Sequence, residues 1–361
     1  MRIMREAPEM RRFDYSFLKN KKWDNEIAGY LSLIHEEKGK ETLYLKGEPR
    51  GIKRLVEIAK VKSTESSNEI EGIRTTGVRL RQLMSKKTAP RTRSEKEIAG
   101  YRDALNTVHE NFEYIPITPN YILQLHKIMF SHTNSAFGGS FKNVQNYISA
   151  TDENGKTYAL FTPLAPYETP DAVKDICEAY NIAIGEGEVD PLLIIPVFIH
   201  DFLCIHPFID GNGRISRLLT TLLLYRNGYD IGRYISLESK TAETKQDYYD
   251  SLEESQQGWH DGEDDPTPFI KYFLGVVTAA YREFSDKMEI AALRTVDSVT
   301  AAVRSMPGKF TKSDISKICT SLSTATVERR LRELCTEGAI EKRGGGRSTF
   351  YIVKDTGETN D

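Results

Sequence analysis

Residues 206 to 217 read His-Pro-Phe-Ile-Asp-Gly-Asn-Gly-Arg-Ile-Ser-Arg, and most of the chemistry legible in this chain lies there. A Gly211-Asn212-Gly213 loop entering a helix points backbone N–H groups at any anion placed there, with the helix dipole behind them. Arg214 and Arg217 are three apart and share one face of that helix. Two guanidiniums above such a nest suit a polyphosphate. Asp210 stands just before the nest, where its carboxylate could hold a divalent cation bridging phosphates. His206 is the nearby group whose ordinary pKa suits it to take a proton near neutral pH. A lone histidine or a lone pair of glycines is usually a packing feature. Base, metal ligand, nest and clamp in one stretch are not.

Such a loop needs firm elements on both sides. Asp190-Pro191 opens a helix with a capping residue and a proline in the first turn. Leu192 to Ile205 is apolar nearly all round, which predicts a buried helix with a bend at Pro196. After the loop, Ile215, Leu218, Leu219, Leu222 and Leu223 form the stripe of an amphipathic helix, ended by Gly228. Further helices are expected at Ser94 to Glu110, Pro119 to Phe130, Thr244 to Gln257 and Pro268 to Arg294. Phe141 to Ser149 and Thr157 to Thr162, around a turn at Asp152 to Gly155, predict a hairpin. The first 90 residues mix short helical patterns with an expected strand at Thr42 to Lys46. Lys86 to Ser94 reads as a connector.

The stretch at His206 to Arg217 resembles the signature of Fic-domain proteins, HPFx(D/E)GNGRxxR, and matches it without departure. The resemblance covers roughly residues 95 to 260. It implies a mainly α fold, a helical core with a β-hairpin flap, and transfer of AMP from ATP to protein hydroxyls (Ser, Thr or Tyr). On that basis His206 would be the general base and Asp210 the ligand of magnesium or manganese. Phe208 would anchor the loop in the core. Gly211, Asn212, Gly213, Arg214, Ser216 and Arg217 would hold the triphosphate of ATP. The flap residues Ile148, Ser149, Ala150 and Thr151 would lie near the nucleotide, although many relatives have glycine where Ser149 stands. Tyr248, Tyr249 and Gln256 resemble positions that touch the adenosine. Relatives that act as kinases carry lysine where Gly213 stands, so the spelling favours nucleotidyl transfer.

A second motif lies upstream. Ser67 to Gly72 fits the family's inhibitory pattern (S/T)xxxE(G/N). In a helix Ser67 and Glu71 lie one turn apart on one face. By resemblance Glu71 would pair with Arg217 in place of the γ-phosphate, and Ser67 and Gly72 complete the pattern. A carboxylate meets the same bidentate demand of arginine as a phosphate does.

Composition bounds these readings. The chain has 361 residues, 39% hydrophobic and 28% charged, enough for two or three domains of ordinary soluble type. Cys177, Cys204, Cys319 and Cys335 are widely separated, which argues against a zinc ribbon or a disulfide scaffold and fits a reducing compartment. Met1 to Arg12 holds four arginines and no apolar core, unlike a signal peptide. Leu192 to Ile205 is too short to span a bilayer. A cytoplasmic protein without a membrane partner is expected. The remaining histidines (His35, His109, His126, His132, His200 and His260) show no metal-binding spacing.

The net charge of −3 averages two different regions. Ala291 to Lys354 holds twelve basic and six acidic residues, a surplus of +6, while residues 1 to 290 carry −6 and the tail −3. Within the basic region, helices at Ala291 to Ser305, after Thr311, and at Thr324 to Glu337 (capped by Ser323) precede two strands around Gly344-Gly345-Gly346. That order predicts a C-terminal winged helix. Arg329, Arg330, Arg343 and Arg347 are its candidate DNA contacts, on the third helix and the wing. A protein partner or a homodimer would use the same module differently. The expected domains are 1–93 with the inhibitory helix, 94–289 as catalytic core, 290–354 as winged helix, and 355–361 as an acidic tail. Alternatives to AMP transfer are a DNA-binding regulator whose core senses nucleotide, and the same core removing AMP or using another nucleotide.

Overall fold

The computed structural model describes residues 12–47, 49–151, 157–306, 308–319 and 322–354. They fall into two compact units, one of residues 12–35 with 58–280, the other of 36–57 with 281–354.

The first unit is built on α8 (Pro191–Ile205) and α9 (Asn212–Arg226). Asp190 caps α8 by accepting the Leu192 N–H at 2.9 Å, and every residue from Leu192 to Ile205 is buried. The all-round apolar pattern therefore does mark a central helix. α8 stops where His206 turns left-handed (φ 50°, ψ 60°) ahead of Pro207, which cannot continue a helix. α9 departs from expectation. Its leucine stripe is buried as predicted, but its polar side is covered too, so twelve of its fifteen residues are buried.

Around this pair lie α4 (Gly77–Met84), α5 (Arg93–Asn111), α6 (Pro119–Met129), α7 (Thr169–Glu186), α10 (Leu237–Glu243) and α11 (Lys245–Ser255). A four-residue helix, α1 (Phe17–Asn20), precedes them. Two long helices, α2 (Asn25–Gly47) and α3 (Pro49–Ile70), occupy the region expected to hold short helices and a strand. Thr42 to Lys46 continues α2. The run has no partner strand among the described residues, and β-favouring side chains alone do not make a strand.

The hairpin pairs β1 (Ile148–Thr151) with β2 (Thr157–Phe161), antiparallel, with a register shift at Ile148/Ser149. Its strand begins seven residues later than Phe141, because 141–147 bonds instead to the loop before α9. The expected turn at Asp152 to Gly155 lies outside the described residues. Pro268 to Arg294 and Ala291 to Ser305, expected as separate helices, are one helix, α12 (Thr267–Arg304). After Pro268 no proline interrupts that span.

In the second unit, α13 (Lys312–Ile318) and α14 (Thr324–Thr336) carry the caps read from sequence, Thr311 and Ser323. Val327, Leu331 and Leu334 of α14 pack with Val299, Phe310, Ile315, Ile340 and Tyr351. The sheet has three antiparallel strands in the order β3-β5-β4: β3 (Lys309–Phe310), β4 (Ile340–Arg343) and β5 (Phe350–Val353). β3 is two residues long, too short for alternation to reveal. Among the described residues no helix is long and apolar enough to cross a membrane.

Candidate active site

The loop joining α8 to α9 is fastened from both sides. Phe208 is fully buried and stacks on His126, ring centroids 3.8 Å apart and planes 4° apart. His126 Nδ1 accepts the Gly139 N–H at 2.9 Å, so Nε2 carries the proton and donates to the Asp210 carbonyl at 3.0 Å. Asn212 closes the turn on itself. Its Oδ1 accepts the Phe208 N–H at 2.9 Å, and its Nδ2 donates to the Phe208 carbonyl at 2.7 Å. Asn146 donates to the carbonyls of His206 and Phe208, and Lys142 Nζ donates to that of Ile205 at 3.0 Å. Lys142 is 3% exposed, and burial pushes its ammonium down to about 8.

Gly211 takes the left-handed conformation (φ 87°) that starts α9, and a Cβ there would run into Met129 and Phe130. The first turn of α9 thus presents its N–H groups beside His206. His206 Nδ1 lies 3.2 Å from the Leu203 carbonyl, which can only accept. The ring proton is therefore on Nδ1, and Nε2 keeps its lone pair. Burial, aided by the Lys142 charge, holds the imidazole down to about 4, so it is neutral at neutral pH.

His206, Gly213 and Arg217 face a cavity of about 630 Å³, which Glu71, Ile148, Ser149, Tyr248, Tyr249 and Gln256 also line. Residues nearly 200 positions apart in sequence, predicted separately, meet there. Ala150 and Thr151 lie further along β1. Asp210, Gly211, Asn212, Arg214 and Ser216 belong to the adjoining loop and first turns of α9 and do not line the cavity with their side chains. Ser216 bonds the Gly213 carbonyl at 2.8 Å.

The two arginines differ. Arg214 is 1% exposed, bonds Glu97 Oε2 at 2.7 Å and reaches Asp210 Oδ1 at 3.3 Å. Arg217 is claimed by the end of α3. It bonds the Ser67 hydroxyl and carbonyl at 2.9 Å each, and Glu71 Oε1 at 2.7 Å. Glu71 lies one residue past α3, on a turn closed by Gly72 N–H to the Glu69 carbonyl and Ile73 N–H to that of Asn68. Gly72, at φ 76°, takes the left-handed C′ position of that motif. Burial pushes the Glu71 carboxyl up, but Arg217, then Arg214 and Lys245, bring it below its ordinary value. Burial opposes the Arg217 charge, and Glu71 more than offsets it.

Asp210 is the carboxylate that a divalent cation would use here. The Asp210 carboxylate is 40% exposed, and its nearest arginine nitrogens are 3.3 and 3.9 Å away. Both carboxylate oxygens are ion-paired, and a divalent cation held here would use the exposed side of that carboxylate with water and a ligand as its other donors.

Sequence reasoning missed His126, Lys142, Asn146 and Glu97. All act through contacts to residues 60 or more positions away, which no local spacing reveals. Cys204 of α8 also lines the cavity. His200, Asp201 and Asp264 offer three ligand atoms within 4.8 Å of one another, but Asp201 already accepts Tyr15 and Trp259. In the basic module, Arg330 is 12% exposed in its side chain and bonds Glu337 at 2.6 Å, so its guanidinium is turned inward, unlike the exposed contact expected. Arg343 bonds Glu341, and Arg329 lies 3.8 Å from Glu333. The Arg347 side chain lies outside the described residues.

Comparison with known proteins finds similarity over the core. Residues 116–224 match the Fic/DOC family model. The chain is 27% identical over 206 residues to the protein adenylyltransferase fic-1 of Caenorhabditis elegans, covering 56% of this chain and 35% of that protein. To the protein adenylyltransferase Fic of Nematostella vectensis it is 26% identical over 235 residues, 61% of this chain and 48% of that one. The chain thus spans about a third to a half of the length of these curated relatives. Its fold resembles the crystal structure of a Fic family protein from Desulfovibrio desulfuricans, with a TM-score of 0.61 at 20% identity, over 94% of this chain and 98% of that one. A Fic domain containing signaling protein of Bacteroides thetaiotaomicron gives 0.58 at 21% identity, over 72% and 94%.

Proposed function

We propose that this protein transfers AMP from ATP to a serine, threonine or tyrosine hydroxyl of target proteins and of itself, releasing pyrophosphate. One observation carries the reading. A single cavity gathers a neutral imidazole with a free Nε2, the N-terminal turn of α9, and an arginine whose phosphate-facing side is filled by a carboxylate.

His206 Nε2 accepts the proton of the attacking hydroxyl as its oxygen bonds to the α-phosphorus and the bond to the β-phosphate bridge oxygen breaks. The N–H groups opening α9 take up phosphate charge, and Arg217 neutralises the departing end once Glu71 vacates it. Asp210 would hold magnesium or manganese, which supplies charge neutralisation across the phosphates. Tyr248, Tyr249 and Gln256 line the same cavity and suit the adenosine, with β1 as the rim where a target segment enters.

Glu71 is read as a restraint. Its carboxylate holds the guanidinium that the γ-phosphate would use, so ATP can settle only in an unproductive pose. The basic second unit is read as a winged helix that binds DNA, with the domain limits 94–289 and 290–354. The end of α12, α13 and α14 with a small antiparallel sheet of β3, β5 and β4 support that reading, as does the +6 surplus. The test of the enzyme is incubation of wild type, Glu71→Gly and His206→Ala with labelled ATP. Covalent addition of one adenylyl group, increased in the first variant and lost in the second, is the expected product. Label appearing as phosphate alone overturns AMP transfer.

A further inference from the structure

Four consecutive carbonyl groups follow the end of α8, those of residues 205–208, and one short segment ahead of β1 bonds all of them. Lys142 Nζ donates to the Ile205 carbonyl at 3.0 Å, and the Lys142 N–H donates to that of Pro207 at 2.9 Å. Asn146 Nδ2 donates to the carbonyls of His206 at 3.1 Å and Phe208 at 2.9 Å. Asn146 Oδ1 accepts Lys142 Nζ at 2.9 Å, which orients the amide, because a reversed amide would set its oxygen against two carbonyls. A helix end leaves carbonyls without partners and carries partial negative charge, which suits a buried ammonium. His206 itself takes the Phe202 and Leu203 carbonyls, through its N–H and Nδ1. It is also one of only two non-glycine residues, among those described, with a left-handed backbone (φ 50°). An L residue keeps that conformation where its surroundings over-determine it. The bracing segment then runs straight into the hairpin. Gln145 Nε2 donates to the carbonyls of Asn146 and of Pro163, just past β2, at 3.0 Å each. The base of the hairpin and the loop that carries His206 are one bonded piece.

We propose that Asn146 and Lys142 are positioning residues of the transfer reaction: by holding residues 205–208 they keep the His206 ring aimed into the cavity and β1 in fixed register with it. The inference rests on reading His206 as the base. Neither side chain lines the cavity, so both act through the loop and neither through the nucleotide. Removing Asn146 frees the His206 carbonyl and lets its backbone relax from the left-handed conformation, which turns the ring away from the attacking hydroxyl. Binding of ATP and the chemical step should therefore separate. Nothing in the pattern HPFx(D/E)GNGRxxR names Lys142 or Asn146, which stand some sixty positions upstream.

The test uses the full chain carrying Glu71→Gly, with labelled ATP and each rate taken well below the variant's unfolding midpoint. Asn146→Ala should lower the maximal rate of self-labelling about tenfold to a hundredfold, the cost of a small misplacement of reacting groups. The KM for ATP should stay where it was. Lys142→Met, which keeps the length and removes the donors, should act likewise, and the double variant should lose less than the product of the two single losses. Asn146 is half-buried, so Asn146→Ala carries the test if Lys142→Met does not fold. In 15N spectra the His206 ring should report the Nδ1–H tautomer in the parent chain and a mixture of tautomers in Asn146→Ala, while His126 keeps its Nε2 proton. General destabilisation does not give that pattern. A maximal rate equal to the parent's in Asn146→Ala overturns the positioning role, even with a lowered midpoint, and leaves His206 as the base. A KM for ATP that rises as far as the rate falls also overturns it, since the segment then shapes the nucleotide site. If His206→Ala still labels, the base reading falls, and this role with it.

Discussion

Glu71 Oε1 lies 2.7 Å from Arg217 Nη2, in space that a Cβ on Gly213 would need. The carboxylate therefore touches both the clamp and the nest. Only a residue without a side chain at 213 lets the end of α3 come this close to α9. The glycine that suits the loop to phosphates also makes room for the group that displaces them.

The first prediction concerns that contact. A charge-assisted hydrogen bond is worth about 1.5–3 kcal/mol, and partial exposure of Glu71 places this one near the lower end. At about 1.4 kcal/mol per tenfold, Glu71→Gly should raise the initial rate of ATP-dependent labelling on the order of tenfold to thirtyfold. Incorporation of label into the chain, followed over time, measures it. A rate equal to wild type removes Glu71 as a restraint.

The second concerns pH. His206 is held to about 4 by burial, so its neutral, proton-accepting form persists well below the ordinary histidine range. Protonation removes the base, so the rate must fall as pH drops through that value. In Glu71→Gly, kcat/KM should stay level from pH 8 down to about pH 5.5, with the acid limb below that. Losing the nearby Glu71 charge moves the limb lower still, because that charge favours the imidazolium. A limb centred near 6.5 would mean that His206 titrates as a solvated histidine and is not the base in this buried form.

What the sequence revealed follows from how local each signal is. The loop from His206 to Arg217 was readable because base, nest and arginines sit within twelve consecutive residues. The all-apolar run of α8 and the stripe of α9 were readable because burial leaves a periodic trace. Thr42 to Lys46 misled because strand propensity expresses itself only with a partner, and here α2 runs on through it. Asn212 was read as a phosphate ligand, yet its side chain is spent on both backbone groups of Phe208, leaving its N–H at the helix end for an anion. Arg330 looked like an exposed cation, but Glu333 and Glu337 hold its guanidinium. The supports of the site (His126, Lys142, Asn146, Glu97) were silent, since each is an isolated polar residue until the chain folds.

The third prediction concerns the cation. Chelation should stop labelling, and magnesium or manganese should restore it. Asp210→Asn keeps the shape and loses the charge, so it should lower kcat about a hundredfold and raise the metal concentration needed for half-maximal rate. Half of that pattern is diagnostic: a loss of rate with unchanged metal dependence would place Asp210 on Arg214 alone, as a brace.

The fourth concerns the basic module. Arg332 and Lys342 are exposed and have no carboxylate within ion-pair distance among the described residues, whereas Arg330 is locked to Glu333 and Glu337. If the module binds DNA, its affinity must come from the exposed cations. In the full chain, Arg332→Glu with Lys342→Glu should abolish retardation of duplex DNA at low salt. The milder pair Arg332→Gln with Lys342→Gln should lower the slope of log K against log salt by about 2. Arg330→Gln removes a partly buried ion pair instead, so it should lower the unfolding midpoint and leave DNA affinity where it was. Retardation that depends on Arg330 and ignores Arg332 and Lys342 would mean the binding surface lies elsewhere. No retardation by wild type at low salt would mean the +6 surplus serves a protein partner.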